Sequence, residues 1–249
     1  TVQARLTAPS LDWLPPREAD ATATPASPIQ LRALEVSAKG RLAQAELTLQ
    51  GQLAQGERHL DLRLAASGGR TTPQAALSAS AWRAQLTRLQ ATVREPALGD
   101  GNWQLANAAA VPVSWSPTQG GQLEVGAGEL SVTSPAPVSQ ARVAWGPARW
   151  HGGELTTTGR ITGLPLQWVE RVAGAQMQAA GVTGNVVFNG DWDAALGATL
   201  RVHANLARAS GDISILTADA STGVQSRVAA GLRDARLTLA SQGQALQLR

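Results

Sequence analysis

Apolar side chains recur at every second residue along most of this 249-residue chain. His59-Leu60-Asp61-Leu62-Arg63-Leu64 and Leu200-Arg201-Val202-His203-Ala204-Asn205-Leu206 show the rhythm plainly. In an extended strand successive side chains point to opposite faces, so each run makes one apolar face and one hydrated face. The pattern predicts strands over 29–38, 41–50, 58–67, 74–81, 82–94, 102–107, 111–115, 122–132 and 139–150. It predicts more over 184–188, 198–208, 211–216, 225–230, 234–241 and 244–248. Turn signals separate the runs at Lys39-Gly40, Gln55-Gly56, Gly68-Gly69, Gly99-Asp100-Gly101, Gly120-Gly121 and Gly152-Gly153. Strands spaced by about ten residues, with hairpin-like turns, imply an all-β antiparallel meander.

One segment breaks the two-residue period. Leu164, Trp168, Val172 and Met177, flanked by Val169 and Ala173, fall at helical spacing. Pro165 sits near the first turn, and Gly174 or Gly181 would close it. A short amphipathic helix packed on the sheet is therefore expected over 164–180. The chain then divides into a short strand with a Pro/Ala-rich loop (1–28), a sheet segment (29–163), the helix, and a continuing sheet segment (181–249).

Composition sharpens this picture. There are eight Trp, one Phe and no Tyr, so Ala and Leu supply most of the apolar volume. A dense β-sandwich draws instead on Phe, Tyr, Ile and Val. Strands lining something thin or open are the expectation. Net charge is +3 and Lys39 is the only lysine. The arginines stand singly on polar faces, unlike the clustered charge of a nucleic-acid footprint, so nucleic acid is not an expected partner. With no Cys, disulfides and thiolate metal sites are excluded. No apolar run approaches the roughly 20 residues of a helical membrane span. Thr1 opens the chain without Met and Leu246-Gln247-Leu248-Arg249 ends it in mid-pattern, so the sequence reads as an internal piece of a longer protein.

Catalytic patterns are weak. Ala65-Ala66-Ser67-Gly68-Gly69 approximates a nucleophile elbow, but strand follows it, and a hairpin turn is the expected reading. His59, His151 and His203 are far apart, without metal-ligand spacing. Asp191-Trp192-Asp193 places two carboxylates beside an indole; a tight turn capped by Asp is expected. Gly99-Asp100-Gly101 lacks the third glycine and the helix of a nucleotide loop. Trp82, Trp103, Trp115, Trp145, Trp150, Trp168 and Trp192 read as packing anchors or groove walls. No enzyme, metal or cofactor is expected.

Three words occur in order between residues 163 and 216: Gly163-Leu164-Pro165-Leu166-Gln167-Trp168-Val169, then Gly184-Asn185-Val186-Val187-Phe188-Asn189-Gly190-Asp191-Trp192-Asp193, then Arg208-Ala209-Ser210-Gly211-Asp212-Ile213. With them the chain resembles the TamB family of AsmA-like proteobacterial envelope proteins. The resemblance covers about a fifth of the chain strongly, and the rest only in its Ala/Leu/Arg/Gly strand character. It implies a β-taco, a sheet curled into an open apolar trough, within a periplasmic protein anchored in the inner membrane and reaching a TamA-type outer-membrane barrel. Phospholipid transport or outer-membrane protein assembly is the implied role. The N-terminal anchor and the barrel-binding portion have no counterpart in these residues, so neither contact is assigned here.

Physical reasoning points the same way. Each methylene withdrawn from water is stabilised by about 0.8 kcal/mol, so an apolar trough holds an acyl chain without specific contacts. The residues expected to line it are Leu47, Leu49, Leu60, Leu62, Leu64, Val187, Leu200, Val202 and Leu206, with phospholipid as the partner. Two rival readings remain: a scaffold that pairs with unfolded β-strands of outer-membrane proteins, and a stalk-like solenoid with a filled core.

Overall fold

The structure is a computed structural model that describes residues 2–13, 27–72, 76–117, 120–135, 137–168, 170, 182–218, 225–242 and 245–248. Nineteen strands account for most of them: β1 (Val2–Trp13), β2 (Ile29–Arg41), β3 (Gln44–Gln55), β4 (Arg58–Arg70), β5 (Trp82–Arg94), β6 (Trp103–Asn107), β7 (Val111–Ser116), β8 (Gln122–Val125), β9 (Gly128–Thr133), β10 (Gln140–Trp145), β11 (Ala148–His151), β12 (Glu154–Pro165), β13 (Val182–Gly184), β14 (Val187–Leu196), β15 (Leu200–Ser210), β16 (Ile213–Ala218), β17 (Gln225–Ala229), β18 (Arg236–Gln242) and β19 (Ala245–Leu248). The fold is the all-β antiparallel meander expected from the alternation. Sixteen strands form one sheet, and β13, β16 and β17 form a second, three-stranded one.

The middle of the large sheet has a simple origin. The first half of β5 pairs with β7 and its second half with β6. Likewise β8 and β9, and β10 and β11, are halves of strands interrupted at Gly126-Ala127 and Gly146-Pro147. A proline has no N–H for the ladder, which favours a break there. The expected runs 122–132 and 139–150 are thus each divided in two.

Three bulges keep the apolar side chains on one face. Ala33 adopts a left-handed φ of 48°, and the β2–β3 register shifts between Arg32 and Glu35. The β4–β5 register shifts where Thr87 is the extra residue, and its Oγ1 donates to the Ala65 carbonyl at 3.0 Å. The β12–β14 register shifts between Ile161 and Leu164, around Gly163 with φ 74°. An extra residue in one strand reverses the alternation beyond it. Each bulge falls where apolar residues are three apart: Leu31 and Leu34, Leu86 and Leu89, Ile161 and Leu164.

Several expectations are corrected. No strand forms over 76–81: Leu77–Ala79 is a single 3₁₀ turn, and 73–75 lie outside the described residues. Gly68 and Gly69 lie inside β4, not in a hairpin turn. A Cβ on Gly68 would stand 2.5 Å from the Ala84 Cα, and one on Gly69 would stand 2.3 Å from the Ala43 carbonyl carbon. Close approach of backbones, not a turn, accounts for these glycines. The β2–β3 turn is at Leu42-Ala43, two residues beyond Gly40. The Asp191-Trp192-Asp193 turn is also overturned, since all three residues are in the middle of β14, paired with Asn205, Ala204 and His203 of β15. Finally, Leu164 and Pro165 close β12, opposite Phe188 and Val187. The helix begins at 166, and its expected continuation past 170 lies outside the described residues.

Candidate functional site

The candidate site is the apolar face of the large sheet. Directly opposite residues on neighbouring strands share a face, so the register traces apolar rows across it. One row runs Leu6, Val36, Leu49, Leu64, Leu89. A second runs Leu11, Leu31, Leu53, Leu60, Val93, Trp103. A third runs Gly51, Leu62, Ala91, Leu105, Val132, Ala141. From β10 the same face continues through Val143, Ile161, Gly190, Leu206 and Leu237.

Eight of the nine expected lining residues stand on this one face. Leu47 lies between Ala38 and Ala66, Leu49 and Leu64 are in the first row, Leu60 in the second, and Leu62 in the third. Leu200, Val202 and Leu206 follow on β15, opposite Leu196, Ala194 and Gly190. Val187 is the exception. It precedes Phe188 in an extended strand and so points to the opposite, polar face; Phe188 is the apolar-face residue at that end of β14.

The face is not uniform. Among the described side chains of β1–β5 no apolar one is buried, and Leu6 (61% exposed), Leu11 (59%), Trp13 (53%), Leu47 and Leu53 (38% each) are open to solvent. Beyond β5 much of the face is covered, although Leu196 (40%) and Leu237 (37%) stay open to solvent. Trp145 lies over Gly128 and Trp192 over Gly159, where added Cβ atoms would sit 2.4 and 2.2 Å from the indole rings. Trp145 Nε1 donates to the Gly126 carbonyl at 3.0 Å. Trp115 stacks on Trp150 with ring centroids 6.3 Å apart. Leu166, Val186 and Phe188 make a buried cluster, packed by Leu164, Leu206, Ile213, Leu232 and Ala235.

A polar knot closes that cluster. The Asp212 carboxylate accepts from the backbone N–H groups of Leu232 (2.8 Å), Gly231 (2.9 Å) and Ile213 (2.8 Å). The Leu232 bond first, then those of Gly231 and Ile213 and the charge of Arg208, together outweigh the opposing effect of burial and hold its carboxyl below the ordinary 3.8. Asn185 Oδ1 accepts from the Asp212 N–H at 2.8 Å, and Arg208 donates to the carbonyls of Gly211 (2.7 Å) and Arg233 (3.1 Å). The words around Asn185 and Arg208–Asp212 therefore perform an architectural task, fastening the small sheet to the large one.

A cavity of about 590 Å³ opens on the apolar face between Val93, Leu98, Trp103, Leu105, Val132, Leu164 and Trp168. Trp103 and Trp168 meet edge to face, with centroids 4.7 Å apart at 74°, and Trp168 Nε1 donates to Ser139 Oγ at 3.0 Å. The alternation did not single out this cavity, because Leu98 sits on the 3₁₀ turn Pro96–Leu98 and Trp168 on the helix.

The opposite face carries ion pairs between Arg5 and Glu35 (2.7 Å), Arg149 and Glu124 (3.5 Å), and Arg201 and Glu154 (2.9 Å). It also holds a cavity of about 620 Å³, lined by Gln50, Gln52, Asp61, Arg63, Gln90, Thr92 and Gln104 among others. Asp191 and Asp193 lie on this face too, with Asn205 Nδ2 donating to Asp191 Oδ2 at 3.3 Å. Among the described residues no three His, Asp or Glu side chains gather as metal ligands, and no helix is long and apolar enough to cross a membrane.

Fold and face together define an antiparallel all-β protein with one extended apolar surface. No protein-family model matches the chain, and no curated protein or solved structure was found to be similar to it.

Proposed function

We propose that this chain is a segment of a TamB-like, periplasm-spanning envelope protein whose apolar sheet face, curled into a trough, passes phospholipid between the inner and outer membranes without catalysis or cofactor. One observation carries the reading. The row through Leu49 and Leu64 is continuous and in register over the five strands β1–β5, the row through Leu62 runs beside it, and none of Leu49, Leu62 and Leu64 is buried. Contiguous apolar surface left open on this scale marks an interaction site. Strands of 12 or 13 residues extend about 40 Å, room for acyl chains laid along or across them. Native mass spectrometry of the purified chain tests this. Bound phospholipid is expected, and Leu62→Asp should abolish it while the β-sheet circular dichroism persists; a lipid-free chain would overturn it.

A second reading, a scaffold for outer-membrane barrel assembly acting with a TamA-type partner, draws on β1. This strand ends the sheet, and among the described residues it pairs with β2 alone. Its outer edge is open to strand addition, which Pro9 weakens by removing one N–H. Nascent barrel strands, not lipid, would then be captured along β1.

A further inference from the structure

The 590 Å³ cavity lies at one end of an apolar track whose other end is charged. Leu60, Val93 and Trp103 are consecutive in one cross-strand row. Val93 borders the cavity, and it also borders a second hollow of about 260 Å³ lined by Ile29, Leu53, Leu60, Arg58, His59, Arg94 and Glu95, among others. Arg58 and Glu95 stand at the rim of the apolar face as a 2.9 Å ion pair. Arg94 also borders this hollow, so Arg58, Arg94 and Glu95 bring one net positive charge to it. We infer that this is a built seat for one acyl chain of an anionic phospholipid: the chain fills the cavity walled by the Trp103–Trp168 pair, and its phosphate lies at Arg58 and Arg94.

The lining chemistry selects that occupant. All seven residues around the larger cavity present hydrocarbon or indole surface, and the Trp168 N–H is already bonded to Ser139. A peptide or sugar would lose hydrogen bonds there without replacement, whereas an alkyl chain has none to lose. The volume falls in the range of about 300–1,000 Å³ usual for small-molecule sites. Guanidinium groups at the rim suit a phosphate, which they grip by paired hydrogen bonds. The tryptophans add polarisable surface at the deep end, and Trp168 on the helix and Leu98 on the 3₁₀ turn border the cavity from outside the sheet.

This inference rests on the lipid reading but is separable from it. The probe is lysophosphatidylglycerol brominated in the middle of its acyl chain, kept below its micelle concentration. Bromine quenches indole emission on contact, so titration should dim the wild-type protein in a saturable way. Trp103→Phe combined with Trp168→Phe should remove most of that quenching while calorimetry still records binding, because Phe preserves the apolar bulk. Arg58→Gln with Arg94→Gln should weaken binding about tenfold, and should weaken the zwitterionic choline analogue less, because its ammonium offsets the phosphate charge. Unchanged quenching in the double Phe variant, or equal affinity after loss of both arginines, would overturn the site. If Leu62 still captures phospholipid in that case, the conduit reading stands without this seat. Lipid at neither place overturns both.

Discussion

Strands β1–β5 and the strands beyond them are built from the same alternation, yet they end differently. The first five present Leu and Ala to one face and leave that face uncovered. The later strands lay indoles over Gly128 and Gly159, and the Leu166–Val186–Phe188 cluster is shut by the small sheet and by Asp212. Among the described residues all eight buried apolar side chains, from Trp103 to Ala195, belong to the second region. Alternation thus decides which side is apolar, but bulky side chains over glycine and a covering element decide whether that side becomes a core. A ligand-holding surface belongs where the covering stops.

The largest expected contrast is in stability. Phe188→Ala removes a buried ring from the closed region and should cost about 3–5 kcal/mol in denaturant unfolding. Leu47→Ala removes a side chain that is 38% exposed, and should cost under about 1 kcal/mol. Comparable losses at both sites would break the division. Gly159→Val should cost about 1–3 kcal/mol and alter tryptophan emission, because its Cβ would collide with Trp192. At the β2 bulge the sign reverses. Ala33 holds a left-handed φ that glycine adopts freely, so Ala33→Gly should be neutral or stabilising by up to about 1 kcal/mol.

The smallest effect concerns acid. Since the folded carboxyl of Asp212 titrates below its ordinary 3.8, its contribution is complete above that value and is lost as pH falls through the lowered one. Thermal melts across this acidic window should therefore decline less for Asp212→Asn than for the wild type. A variant that loses stability in acid as steeply as the wild type would remove the knot from the account.

Much of the fold was legible because period-two alternation is a local signal. Trp82–Arg94 forms a strand over the residues expected, and the rows through Leu60, Leu62 and Leu64 follow from the pattern. What misled were signals with two physical causes. Gly68-Gly69 reads as a turn, but serves close strand approach; Asp191-Trp192-Asp193 reads as a cap, but alternates across β14. The three-residue spacings at Leu31, Leu86 and Ile161 announce bulges, yet they are meaningful only once partner strands are known. Val187 was drawn to the wrong face because two apolar residues adjoin there, and register alone decides between them. The Trp103–Trp168 cavity joins a strand, a 3₁₀ turn and a helix, so no single period contains it.

The division between the two regions is tested most directly by photo-crosslinkers placed, one at a time, at Leu49, Leu62 and Leu64 in the open rows, and at Phe188 and Ala194, which are buried. In intact envelopes the first three should capture phospholipid and the last two little or none. Capture of protein alone, or equal lipid capture at all five positions, would contradict the account.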